Sequence, residues 1–156
     1  MATKKVRLED ITVDMTIHFR DKVDQGAVAR YMECLDNLPP VKLVRVEGQW
    51  LLASGLHRYH AHRDAGREEI EAETLEGTRN DAIVLGLKDN SLHGVPLTRE
   101  ERNRAILQLV KMGLTYVEIS EIFGLHETTI NKLANAEGER KRPKSVGEKG
   151  HQTRKT

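Results

Sequence analysis

The amino-acid sequence predicts an α+β unit followed by an all-helical one. Three observations carry this. Val41–Val46 and Glu69–Leu75 alternate apolar and polar residues, the period-two signature of strands. From Thr78 to about Ala136 the apolar residues recur at helical spacing instead. Within that stretch two Thr-x-x-Glu boxes, at Thr98 and Thr115, mark helix starts.

In chain order, Val6–Ile11 reads as a short strand. Asp24 caps a helix carrying Val28, Tyr31, Met32 and Leu35, which Leu38-Pro39-Pro40 stops because proline lacks a donor and restricts the residue before it. Val41–Val46 forms a strand, Glu47-Gly48 a turn, and Trp50–Ala53 a returning strand. A helix follows from about Leu56 to Ala65, ended by Gly66, then the strand Glu69–Leu75. Thr78 and Asp81 open a helix through about Asn90. Two boxed helices follow, the second broken by Gly124, and a last helix runs from about Glu127 to Asn135. The expected division is 1–77, 78–136 with a helix-turn-helix over 115–134, and a disordered basic tail, 137–156.

The 156 residues are 38% hydrophobic and 31% charged, as in soluble globular chains, but only 4% aromatic, so the core must rest on Leu, Ile, Val and Ala. No stretch approaches the roughly 20 apolar residues of a membrane span, so no membrane partner is expected. No apolar run follows the basic start, which excludes a secretory signal, and the single Cys34 excludes an internal disulfide. A cytoplasmic location follows as the expectation. Net charge is +1. The segment 137–156 holds seven Lys/Arg against three Glu, a balance of +4 that leaves −3 for the rest.

Three motifs bear on function. Leu51–Tyr59 is a strand meeting a helix through Gly55. A helix N-terminus offers unpaired N–H groups and partial positive charge, a site for an anion. Ser54, Gly55, His57 and Arg58 are the candidate phosphate-binding residues, Arg58 for its planar fork. A plain strand-to-helix turn with solvated His57 and Arg58 has the same spacing. The second motif is Asp89-Asn90-Ser-Leu-His93-Gly94, which also reads as a simple helix end. The third is Thr115–Leu133. There Ile119 and Ile130 are inward anchors, Gly124 the turn and Leu125 its apolar plug. Glu127, Thr128, Thr129, Asn131 and Lys132 lie at the start of the second helix, the part that enters a major groove in helix-turn-helix proteins. An ordinary helical hairpin uses the same buried spacing. His126 replaces the usual Ser/Thr cap, and Glu outnumbers Lys over this stretch. His57, His60, His62 and His93 lack zinc-site spacing, and no zinc is expected.

Ser54-Gly-Leu-His-Arg-Tyr-His-Ala-His-Arg-Asp-Ala-Gly66 resembles the Gly-x-x-Arg box of ParB-like domains. Asp89-Asn90 resembles their second box, usually Glu-Asn-x-x-Arg, with His93 in place of its Arg. The resemblance implies a ParB/sulfiredoxin-like α+β domain followed by a helical domain. It implies a nucleotide ligand, CTP or ATP with Mg²⁺, its phosphates on the Gly55–Arg58 turn. Asn90 would be a phosphate or Mg²⁺ ligand, His93 a further ligand, and Asp89 an acid supporting weak hydrolysis. Sulfiredoxin chemistry is not expected, because Leu56 stands where that enzyme's cysteine would be and Cys34 falls on a helix read as buried. The resemblance further implies double-stranded DNA as partner and a role in plasmid or chromosome partition or in transcription regulation. Any homodimer would form through the ParB-type domain itself. The alternative is a nucleotide-dependent enzyme on the same fold, a small-molecule kinase or a nuclease-like protein, with Asp21, Asp24 or Asp89 as its carboxylate.

Overall fold

The computed structural model describes residues 2–92 and 94–141. Five strands form one mixed sheet: β1 (Ala2–Arg7), β2 (Ile11–Thr12), β3 (Val41–Val46), β4 (Gln49–Ser54) and β5 (Glu69–Glu76), in the order β1-β5-β3-β4-β2. β1 runs antiparallel to β5, β3 parallel to β5 and antiparallel to β4, and β2 parallel to β4. The helices are α1 (Gln25–Met32), α2 (Leu56–Asp64), α3 (Arg79–Leu92), α4 (Arg99–Lys111), α5 (Tyr116–Phe123) and α6 (Glu127–Lys141). None of the described helices is long and apolar enough to cross a membrane.

Two compact units result, Met1–Leu97 and Thr98–Thr156. The expected division at Gly77 gives way to one after Leu97, because α3 packs on β3 and β4 and shares their unit. Gly86 makes this packing close: a Cβ there would stand on the Ala53 carbonyl oxygen. The core beside the sheet is built of Val6, Leu8, Ile11, Val41, Leu43, Leu52, Leu56, Tyr59, Ile70 and Ala72. Aliphatic side chains dominate it, as the low aromatic content requires.

The first strand is Ala2–Arg7 rather than Val6–Ile11, and only Val6 of it is buried. What holds it is cross-strand pairing. Lys5 stands opposite Glu71 and Arg7 opposite Glu69, opposite charges in register. Leu8–Asp10 then make a 3₁₀ turn into β2.

The other starts match their caps. Asp24 Oδ1 accepts from the Ala27 N–H, and Thr78 and Asp81 exchange reciprocal bonds at the start of α3. Both Thr-x-x-Glu boxes are complete, Thr98 with Glu101 and Thr115 with Glu118. Cys34 is exposed, not buried, because α1 ends at Met32 and the chain turns outward before Leu35. α6 continues through Lys141, past the expected end near Asn135. Residues 137–141 are therefore helical, since Glu, Arg and Lys are good helix formers and no proline intervenes before Pro143. The remainder of the expected tail, 142–156, lies outside the described residues.

In the second unit, Ala105, Ile106 and Leu109 of α4 and Ile119 and Ile130 of α5 and α6 are fully buried. Gly124 adopts φ +67° and closes α5, and the Leu125 N–H bonds back to the Ser120 carbonyl.

Candidate functional site

A cleft in the first unit gathers residues far apart in sequence: Ile17, His18 and Arg20 from the loop before α1, Ala53–Arg58, and Leu87, Asp89, Asn90, Gly94, Val95 and Leu97 around the end of α3. Its floor is the β4–α2 junction. Gly55 has φ +102°, and a Cβ there would lie 2.6 Å from Val41 Cγ1, so only glycine permits the turn. α2 has no side-chain cap, and its first intrahelical bond is Tyr59 N–H to the Gly55 carbonyl. The N–H groups of residues 56–58 have no carbonyl one turn earlier within the helix, so this end is suited to an anion.

Arg58 is turned inward. Only 8% of the residue is exposed. Its guanidinium donates to the Pro39 carbonyl at 3.0 Å, the Pro40 carbonyl at 2.6 Å, and Ser54 Oγ and Asp89 Oδ2 at 3.4 Å. Burial lowers its pKa, opposed by the Asp89 charge; it remains a cation at any working pH. Arg58 thus spans from the Pro39-Pro40 turn to α3 rather than presenting a free fork to the cleft.

Asp89 is the counterpart, 3% exposed. Its Oδ1 pairs with Lys42 Nζ at 2.8 Å, and its Oδ2 accepts from Ser54 Oγ as well as Arg58. A carboxylate held by two cations and a hydroxyl is poorly disposed to take a proton from water. The geometry makes Ser54, Arg58 and Asp89 one buried polar cluster that joins β4, α2 and α3.

His57 is 5% exposed, and its Nε2 accepts the Asp24 N–H at 3.0 Å, linking α2 to the cap of α1. Burial pushes its pKa to about 4, reinforced by the nearby Arg20 charge, so the ring is neutral. Asn90 Oδ1 accepts from Arg20 at 3.0 Å, and Arg20 also donates to the Val95 carbonyl. The expected Mg²⁺ ligand is therefore already engaged by a cation. Among the described residues no three His, Cys, Asp or Glu side chains cluster to hold a metal. These residues do not fit a Mg²⁺ ion as they stand. His93 lies outside the described residues.

Arg20, Lys42 and His18 were not among the sequence-derived site residues. Arg20 and His18 lie in a loop with no periodicity, and Lys42 alternates within β3 like any solvated strand residue. Asp21 and Asp24, named for the enzyme alternative, are both exposed residues, and Asp24 serves as the α1 cap.

In the second unit Glu127, Thr128 and Lys132 are exposed, while Thr129 and Asn131 are half-buried. Asn131 Oδ1 accepts from Asn135. His126 takes the role of the missing Ser/Thr cap: its Nδ1 accepts the Thr128 N–H at 3.2 Å.

The sheet order with its helices defines a class: the fold is that of ParB N-terminal domains. It superposes on C-terminally truncated ParB from Caulobacter crescentus complexed to the centromeric parS site, with TM-score 0.62 and 14% identity over 84% of this chain and 70% of that one. The same protein complexed with CTP-γ-S gives 0.52 and 13%, over 88% and 79%. No family model matches the sequence. Among curated proteins the chain is 32% identical over 103 residues to the transcriptional regulator NovG of Streptomyces niveus, covering 65% of this chain and 32% of that protein. It is 32% identical over 81 residues to a Streptomyces griseus protein described as a streptomycin biosynthesis operon possible regulatory protein, covering 51% and 23%. The chain thus spans a third or less of the curated relatives it matches.

Proposed function

We propose that this chain is a ParB-like transcription regulator that binds double-stranded DNA through α5 and α6 and takes a nucleotide in the α2 cleft. The observation that carries the DNA reading is the second unit's surface. After the tight Gly124 turn, α6 presents Thr128 and Lys132 outward while Ile130 anchors it inward. That disposition is the one a recognition helix needs. The similarity to two regulators, and to a ParB solved on its DNA site, supports the same reading. Such a protein works in the cytoplasm, as a homodimer on a two-fold site, in transcription rather than in partition.

The cleft reading rests on the uncapped α2 N-terminus and on Arg20, with the CTP-γ-S complex of a ParB protein of like fold in support. Phosphate oxygens sit on the amides after Gly55. Arg20 leaves the Val95 carbonyl to meet them, which widens a cleft whose free volume is only about 50 Å³. The buried Asp89 argues for binding without turnover, and hence for a ligand-responsive regulator over a kinase or nuclease.

DNA binding is tested by selection from random duplexes, then by salt titration of wild type, Lys132→Ala and Thr128→Ala/Asn131→Ala. Lys132→Ala should lower the salt slope by about one, and the double variant should weaken the selected site more than random DNA. Equal loss on all sequences would remove the base-reading role. Calorimetry with CTP, ATP, GTP, UTP and inorganic triphosphate tests the cleft, with Arg20→Ala expected to weaken every binder.

A further inference from the structure

The sheet ends in two edge strands. β2 has only two residues, but β1 offers six, and among the described residues no strand lies on its outer side. In an antiparallel pair alternate residues exchange both backbone bonds with the partner strand, and the residues between them point their N–H and C=O groups away from it. The Leu8 N–H bonds to the Glu68 carbonyl at 2.9 Å. Counting back from that pair, Val6, Lys4 and Ala2 are the residues bonded to β5, opposite Ile70, Ala72 and Thr74. Thr3, Lys5 and Arg7 therefore turn their backbone groups outward.

Charge follows the same alternation. The side chains of Thr3, Lys5 and Arg7 share one face, and those of Lys4 and Val6 the other. On that second face Val6 belongs to the core, and Lys4 Nζ lies 4.7 Å from the centre of the Trp50 ring. On the inner side of β1, Lys5 and Arg7 stand opposite Glu71 and Glu69, with Ile70 opposite Val6 between them. β5 thus displays the pattern that β1 selects: acidic, apolar, acidic. Arg7 also meets Glu9 at 3.0 Å, but both side chains are more than half exposed, and such a pair exchanges partners at little cost. A second copy of β1 is a poor occupant of the outer edge. Ala2–Arg7 contains no acidic residue, so self-pairing sets cation against cation.

We propose that the outer edge of β1 is a docking site for an extended segment of a partner protein reading acidic–apolar–acidic, which joins the sheet antiparallel as a sixth strand. Its acidic residues lie opposite Lys5 and Arg7 and exchange both backbone bonds with them. Its apolar residue lies beside Val6. Backbone bonds supply the affinity, and the two cations set the register and choose the partner. No residue of β1 lines the cleft, so this site stands apart from the nucleotide reading.

The probe is a blocked peptide with the sequence of residues 69–76, Glu-Ile-Glu-Ala-Glu-Thr-Leu-Glu, titrated into the full chain by fluorescence anisotropy and amide hydrogen exchange. Binding should slow exchange at the Thr3, Lys5 and Arg7 amides, while those of Lys4 and Val6, already bonded to β5, change little. Backbone N-methylation of the peptide at its first three glutamates should abolish binding, because those N–H groups face β1. Methylation at its isoleucine and alanine should not. Lys5→Gln/Arg7→Gln should weaken the peptide about tenfold at low salt through the loss of two cross-strand charge pairs. The methylated peptides are read on the wild-type chain, so that arm stands whatever the double variant does to folding. Equal effects of the two methylation patterns, or unchanged exchange at the three outward amides, overturns the proposal and leaves the edge cations as a guard against pairing. Undiminished affinity in a folded Lys5→Gln/Arg7→Gln overturns the acidic character of the partner.

Discussion

Asp89→Asn isolates the ion cluster that organises the cleft. The Asp89 side chain is 2% exposed, and its carboxylate faces Lys42 Nζ at 2.8 Å and Arg58 at 3.4 Å. Neutralising it affects the two cations unequally. The Lys42 side chain is 22% exposed and its ammonium can turn to water, but that of Arg58 is only 10% exposed and cannot. Removing one half of a buried pair costs about 3–5 kcal/mol, because a charge is left uncompensated. Arg58 keeps the Pro39 and Pro40 carbonyls, which places the loss near the lower end, about 3 kcal/mol. Equilibrium urea unfolding followed by fluorescence of Trp50, the single tryptophan, reports on the first unit. With a slope of roughly 1–3 kcal/mol per molar for a small unit, the midpoint should fall by about 1–3 M at constant slope. Arg58→Met combined with Asp89→Leu should recover most of the loss, since an apolar pair leaves no charge to compensate. An unfolding free energy within about 0.5 kcal/mol of wild type for Asp89→Asn would place the pair in solvent-screened surroundings and refute the reasoning.

Three other outcomes follow from the geometry. Gly86→Ala drives a methyl group into the Ala53 carbonyl and should cost about 2–3 kcal/mol, read as a lower Tm; unaltered stability would mean α3 does not approach β4 this closely. His126→Ala removes the α6 cap and should cost about 1 kcal/mol in the second unit, with His126→Asn recovering part of it, by circular dichroism melts. His18 and His57 titrate near 4 when folded and near 6.5 when unfolded, so below 6.5 the unfolded chain binds protons that the folded one does not. Stability should be full above 6.5 and fall as pH is lowered toward 4. Urea midpoints measured between about pH 7.5 and about pH 4.5 check this, and a flat profile would refute it.

Where one physical signal dominated, the sequence was a sufficient guide. The capping residues Asp24, Thr98 and Thr115 marked their helices because each satisfies backbone N–H groups locally. The alternation of Ile70, Ala72 and Thr74 marked β5 because one face of it is buried. β1 escaped because it is held by backbone pairing with a strand distant in sequence, which periodicity does not register. The cleft escaped in the same way. Gly55 and Arg58 were legible as a motif, but whether a guanidinium faces a ligand or a proline carbonyl depends on the β3 and α3 neighbours. His126 illustrates the converse, a residue that looked like a missing cap and supplies one through its ring nitrogen.

The pairing of β1 with β5 bears on how the chain is made. β1 is synthesised first but has no partner until Glu76 has left the ribosome, a wait of several seconds at roughly 5–20 residues per second. A waiting strand is an aggregation hazard when it is apolar. This one carries Lys4, Lys5 and Arg7 and commits a single buried side chain, Val6, to the core. β5 has the opposite character, with Ile70 and Ala72 buried, and it emerges when its partners on both edges already exist. Charge on the early strand and apolar surface on the late one thus shorten the interval during nascent-chain growth in which a sticky edge stands open.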